Sequence, residues 1–185
     1  KSINQFTFFS RESGLVMNNL LLSVSALVVF IGTLWPLIVE TLLDQKMSVG
    51  APFFNIAFTP FMVLLAFLLP VGALLPWRRS KIEKLQPSLL VILFLAVVFG
   101  SVVWSLQTGK KLLGPIGISL SIWVILGSLH DINKRIKILK GSLVSVLARF
   151  FNIPRSEFGK SIAHIGFGLM IFGISAVTAW EIEDI

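Results

Sequence analysis

Five stretches of this chain, each about 18 residues or longer and nearly free of charge, limit its fold more than any other feature. At about 1.5 Å of rise per residue, a helix of that length spans the roughly 30 Å hydrocarbon layer of a bilayer. In hydrocarbon every backbone N–H and C=O must find a partner within the segment or across a closed barrel. Barrel strands alternate apolar and polar residues, and these runs do not. Of the 185 residues, 55% are hydrophobic and only 14% are charged, too little polar surface for a water-soluble domain of this size. The expected fold is an all-α integral membrane protein, a multi-span transmembrane helix bundle forming a single membrane domain.

The expected spans lie at about 14–36, 55–76, 88–106, 112–129 and 161–180. Pro36 is expected to kink or end the first, where Trp35 suits an interfacial anchor. Pro60 falls in the first turns of the second span and Pro70 in its interior, where it frees backbone groups that a neighbouring helix or a water must satisfy. Pro115 suits the first turn of the fourth. Between the last two spans lies a basic connection, residues 131–160, with Lys134, Arg135, Lys137, Lys140, Arg149, Arg155 and Lys160 against Asp131 and Glu157. Within it Ile136, Leu139, Leu143, Val146, Leu147 and Phe150 share one helical face. That pattern predicts an amphipathic helix over about 134–151, lying on the membrane surface.

The formal charge is +7. In a soluble protein that excess would suggest nucleic-acid binding; here it clusters in loops beside spans, where it sets orientation, and no nucleic acid is implied. The cation-rich loop at 77–84 and the 131–160 connection are expected on the cytoplasmic side, with the N-terminal end inside and the C-terminal end outside. Lys110 and Lys111, in a short turn that must then be outside, run against the rule. The chain starts at Lys1, shows no signal peptide and ends five residues after a span, so it reads as an internal piece of a longer membrane protein.

No cysteine is present, which removes disulfides, thiolate metal sites and thiol nucleophiles. No phosphate loop, zinc pattern or nucleophile elbow appears, and the spans hold no paired carboxylates. Glu40, Asp44, Glu181, Glu183 and Asp184 flank spans as interface charges, so no catalytic residue is assigned. What remains is histidine. His164 stands about one turn inside the last span, in Ser161-Ile-Ala-His-Ile-Gly-Phe-Gly168, with Phe167 and Gly168 on its face and Lys160 one turn back. An ionisable side chain there is costly and therefore a candidate functional site. A neutral imidazole ligates metal or haem iron, or relays a proton. The glycines around it read in two ways: as small-residue helix packing, for example Gly159-x-x-x-Ala163, or as room for a flat macrocycle. His130, at the end of the fourth span, reads as a cation-capable helix C-terminus; ligation of one iron by His130 and His164 together is the rival.

Three stretches resemble the CcmF/NrfE family of cytochrome c maturation proteins, the haem lyase component of the system I pathway. They are Phe9-Ser-Arg-Glu-Ser-Gly-Leu-Val-Met-Asn-Asn-Leu-Leu-Leu22 running on to Gly32-Thr-Leu-Trp-Pro36, then Met47-Ser-Val-Gly-Ala-Pro-Phe-Phe-Asn55, and Ala163-His-Ile-Gly-Phe-Gly168. They occur in the family's order and, with the basic connection, cover nearly the whole chain. The first two together are specific; the third alone is weak. The resemblance implies a central-to-C-terminal part of a multi-pass protein of the bacterial inner membrane, with its C-terminal end periplasmic. It implies a reaction in which haem, delivered by the chaperone CcmE, is joined to the two thiols of a CxxCH motif in apocytochrome c, alongside other lyase subunits such as CcmH. It implies a transmembrane b-type haem with two axial histidines, of which His164 matches one; the second ligand, and the Trp-rich segment that holds the transferred haem, would lie outside this chain. On that reading the chain alone is not a competent lyase, and the family places no ligand at His130. Two readings stand beside it: a transporter-type membrane protein with helices broken at Pro60 and Pro70, and a structural scaffold without haem.

Overall fold

The computed structural model describes residues 10–75, 86–108, 112–137 and 142–180. Seven helices account for most of them: α1 Arg11–Leu43, α2 Ala51–Ala57, α3 Thr59–Leu74, α4 Gln86–Leu106, α5 Leu113–Ile136, α6 Leu143–Phe151 and α7 Arg155–Trp180, with no strand among the described residues. Helices α1, α4, α5 and α7 are long and apolar enough to cross a membrane, and the α2–α3 pair makes a fifth crossing if it is one bent span. The chain is an all-α, multi-pass membrane bundle.

Several helices extend past the expected apolar spans. α1 runs 33 residues and passes through Pro36 without ending. It starts at Ser10, whose side chain accepts a hydrogen bond from the Ser13 N–H, and stops at Asp44 in the left-handed conformation. α5 continues through Asp131, Lys134 and Arg135 to a left-handed Lys137. Hydropathy locates contact with lipid, whereas a helix persists as long as its backbone bonds and caps do.

The second span departs from expectation. It is two helices, α2 and α3, bent by 46° at Phe58. Pro60 sits in the first turn of α3 and has no N–H to give to the carbonyl four residues back, so the ladder breaks there. Pro70, inside α3, does not break its helix; the carbonyl four residues back is Ala66, and a neighbouring helix bonds the next one, Phe67. The Trp123 Nε1–H of α5 donates to the Phe67 carbonyl at 2.9 Å, and the Phe67 and Trp123 rings stack at 5.6 Å.

α5 is the central helix. Of its most apolar window 44% is buried, against 17% in each of the other three long helices. It packs on α3, α4 and α7, while α1 packs on α3. The core joins Ala66 of α3, Ile92 and Ala96 of α4, and Trp123 and Val124 of α5, with Phe167 and Ile171 of α7 against it. Small residues let the backbones close up. A Cβ on Gly127 would collide with Pro70, and one on Gly114 would lie 2.8 Å from the Ala179 Cβ. The outward sides of the helices carry exposed Leu, Val, Ile and Phe, as a lipid-facing surface does.

The amphipathic segment is shorter than expected. Residues 134–136 belong to α5, residues 138–141 lie outside the described residues, and α6 begins at Leu143 behind the N-cap Ser142. α6 has no buried residue. The loop at 77–84, Lys110, Lys111 and the acidic residues 181–184 also lie outside the described residues.

Candidate functional site

His164 is in the second turn of the apolar part of α7, half-buried. At about 100° per residue it lies between the line of buried Ser161, Gly168 and Ser175 that faces α5 and the side of Phe167, which packs against the same core. No hydrogen bond from a described residue reaches its ring. The charges of Lys160, on its own helix, and of Asp131, on α5, act on it with opposite sign.

The glycines around His164 divide between two sides of α7. Gly168 is pressed onto α5, where a Cβ would come within 2.6 Å of Ile125. Gly159 and Gly166 have nothing within 4 Å of a built Cβ and lie on the opposite side of the helix. The α5–α7 packing therefore runs through Gly168, Ser175 and Ala179 and not through Gly159-x-x-x-Ala163. Nor do the glycines clear a slot beside His164: Gly168 is filled by Ile125, and Gly166 faces away.

Below His164, toward the start of α7, three helix ends meet in an ion-pair network. Lys160 Nζ lies 2.9 Å from Asp131 Oδ2 and 2.9 Å from Glu157 Oε2. Arg135 gives its Nη2 to Glu157 Oε2 at 2.8 Å, and its Nε is 3.4 Å from Asp131 Oδ1. Arg11, from the start of α1, reaches Glu157 Oε1 at 3.7 Å. The Ser161 hydroxyl donates to Asp131 Oδ2 at 3.3 Å. Asp131 is 4% exposed, so its charge depends on these partners rather than on water. The network puts the first turn of α1, the last turn of α5 and the first turn of α7 at one end of the bundle, as alternating crossings require.

In the sequence Asp131 and Glu157 read only as the acidic minority of a basic connection. The signal was there: Arg135 is four residues after Asp131 and Lys160 three after Glu157, both spacings that bring helical side chains together. That the two pairs share partners across α5 and α7 is tertiary and has no local signature.

His130 is half-buried on α5, directly before Asp131. Among the described residues no group of three or more His, Cys, Asp or Glu is placed to hold a metal ion. A porphyrin brings four nitrogens of its own and asks the protein only for axial donors, so an imidazole with no hydrogen-bond partner, on a flank of a membrane helix, fits that requirement.

Fold and site together define a multi-pass helical membrane protein with one intramembrane histidine set above an ion-pair network around the buried Asp131. No protein-family model matches the chain. It is 46% identical over 180 residues to the cytochrome c-type biogenesis protein ccl1 of Rhodobacter capsulatus, which covers 97% of this chain and 26% of the relative. It is 40% identical over 180 residues to CycK of Bradyrhizobium diazoefficiens, another cytochrome c-type biogenesis protein, covering 97% of this chain and 27% of that one. A solved structure named cytochrome c heme lyase CcmF superposes with a TM-score of 0.65 at 29% identity, over 91% of this chain and 25% of that protein. The chain belongs to the CcmF/NrfE family of cytochrome c-type biogenesis proteins. It spans about a quarter of the length of the curated relatives it matches.

Proposed function

We propose that this chain is part of a membrane haem lyase that attaches haem covalently to apocytochrome c, and that His164 supplies one axial ligand to a b-type haem held within the bilayer. The observation that carries the reading is an intramembrane imidazole with no hydrogen-bond partner among the described residues, in a chain whose structural relative is named a haem lyase. Burying such a ring in a helix flank without a partner has a cost that ligation would offset.

In this reading α7 holds the imidazole at a fixed height, because Gly168 and Ser161 seat the helix against α5 on either side of it. The Lys160–Asp131–Glu157–Arg135 network keeps α7 from sliding along α5, so the ligand nitrogen keeps its place. A b-haem bound there supplies one-electron chemistry, suited to keeping the iron of an incoming haem reduced. The second axial histidine, and the region binding the haem to be transferred, belong to parts of the lyase outside this chain. The two acceptor thiols come from the CxxCH motif of apocytochrome c, in keeping with the absence of cysteine here.

The orientation that fits places the ion-pair end, with its cation-rich flanks, at the cytoplasmic face of a bacterial inner membrane, and the end of α7 toward the periplasm. The working partners are CcmE as haem donor, lyase subunits such as CcmH, and apocytochrome c. The bend at Phe58 is the broken helix a transporter reading would use; the cytochrome c-type biogenesis relatives favour the lyase reading over it. The test is covalent haem attachment in cells. A strain with His164→Ala in the full-length protein should lose haem-stained holocytochrome c while the protein still accumulates in the membrane. Normal holocytochrome c would overturn the proposal.

A further inference from the structure

α1 carries hydrogen-bonding side chains that no other described residue meets. Asn18 is half-buried and Asn19 exposed, and neither carboxamide has a partner among the described residues. Ser25 is 3% exposed, and its hydroxyl is also without a partner. Thr33, two turns further on, is served in the ordinary way: its hydroxyl donates to the Val29 and Phe30 carbonyls of its own helix.

Depth makes the two carboxamides costly. Arg11, at the start of α1, reaches Glu157 in the first turn of α7, so the two helices begin at one level. Asn19 stands eight residues past Arg11 and His164 seven past Glu157, about 12 Å and about 10 Å along their helices. Asn18 and Asn19 therefore lie at about the depth of His164. Hydrocarbon offers an amide no hydrogen bond, and in a membrane such a side chain finds its partner on another helix.

Beside them lies an open groove of about 560 Å³, lined by Leu22, Ser25, Ala26 and Val29 of α1 together with Phe58 and Met62 at the bend. Asn18, Leu22, Ser25 and Val29 follow one another at steps of four, three and four residues, the repeat along which one helix seats another. Ser25 and Ala26, at its middle, are small enough for a second backbone to come close. An acyl chain fits the apolar lining but leaves both carboxamides unpaired. A helix with hydrogen-bonding side chains meets both demands.

We infer that this face of α1 is the seat of a further transmembrane helix of the same polypeptide, one that presents carboxamide or hydroxyl side chains to Asn18 and Asn19 and apolar ones to the groove. The source follows from length: the stretch that matches ccl1 is 26% of that protein, so most of a family member's chain lies outside it. The docking is independent of haem ligation by His164.

The test is photo-cross-linking in membranes that hold the full-length protein. Phe30→p-benzoylphenylalanine puts an aromatic probe at an exposed aromatic position of the groove, and Val29→p-benzoylphenylalanine repeats it one residue away. Irradiation, digestion and mass spectrometry should link either probe to an apolar peptide of the same polypeptide outside residues 1–185, with the protein still at monomer mass on a denaturing gel. Asn19→Leu should lower the yield about threefold, the effect of one interhelical hydrogen bond, and Asn19→Gln should restore it. Ala26→Phe, on the exposed side of α1, should abolish the link by filling the seat. The probe proteins alone identify the occupant, so the outcome does not hang on the folding of either variant. Links only to lipid, to a second copy or to another subunit would overturn the inference, as would an unchanged yield in Asn19→Leu or in Ala26→Phe.

Discussion

The Lys160 ammonium lies 2.9 Å from the Asp131 carboxylate, and this contact joins α7 to α5 one helical turn before His164. Asp131 is nearly sealed from water. Removing one partner of such a pair leaves a charge that the interior cannot solvate, which costs more than the pair itself contributes.

Lys160→Ala should therefore lower stability by about 3 kcal/mol, the range for a buried pair that loses one member. Thermal unfolding in detergent would show this as a lower midpoint. A double variant, Lys160→Met with Asp131→Leu, should recover much of the loss, since no lone charge remains. If Lys160→Ala unfolds like the parent, the network does not hold these helix ends.

Trp123→Phe keeps an aromatic ring in place to stack on Phe67 but removes the Nε1 donor to the Phe67 carbonyl. The Phe67 carbonyl keeps the Val71 N–H of its own helix, so losing this second donor should cost about 0.5–1.5 kcal/mol. Faster amide exchange in α3, read by mass spectrometry, should accompany it. Unchanged exchange there would mean that Trp123 is only a packing residue.

Gly127→Val should push α5 off α3, because even a Cβ at this position meets Pro70. The expected cost is about 1–3 kcal/mol of overpacking. Gly166→Val, on the open side of α7, should cost less than 1 kcal/mol in this chain's own packing. Equal losses for the two, measured in the same unfolding assay, would contradict the helix arrangement.

The apolar runs make the helices legible because hydrocarbon admits little else. Their ends are less legible: Arg11, Lys134 and Arg135 are polar yet helical, since capping and backbone bonds rather than hydropathy decide where α1 starts and α5 stops. Pro36 and Pro60 look alike in the sequence. One is absorbed in a long helix and the other stands at the bend of a span, a difference that the local sequence does not display. His164 stands out in the sequence for its depth alone. Its support does not, because Asp131 and Glu157 meet Lys160 and Arg135 only once α5 and α7 lie side by side. The glycines around His164 misled for a related reason: periodicity tells which residues share a face, and only the fold tells which face meets α5.

In the proposed function the His164 imidazole is an axial haem ligand. The most direct measurement is the reduced-minus-oxidised absorption spectrum of the purified full-length protein and of its His164→Ala variant, at equal protein concentration. The parent should show b-type α and Soret bands, and the variant should lose them or shift to a weaker high-spin spectrum. A variant that keeps the full b-type spectrum would contradict the ligand assignment.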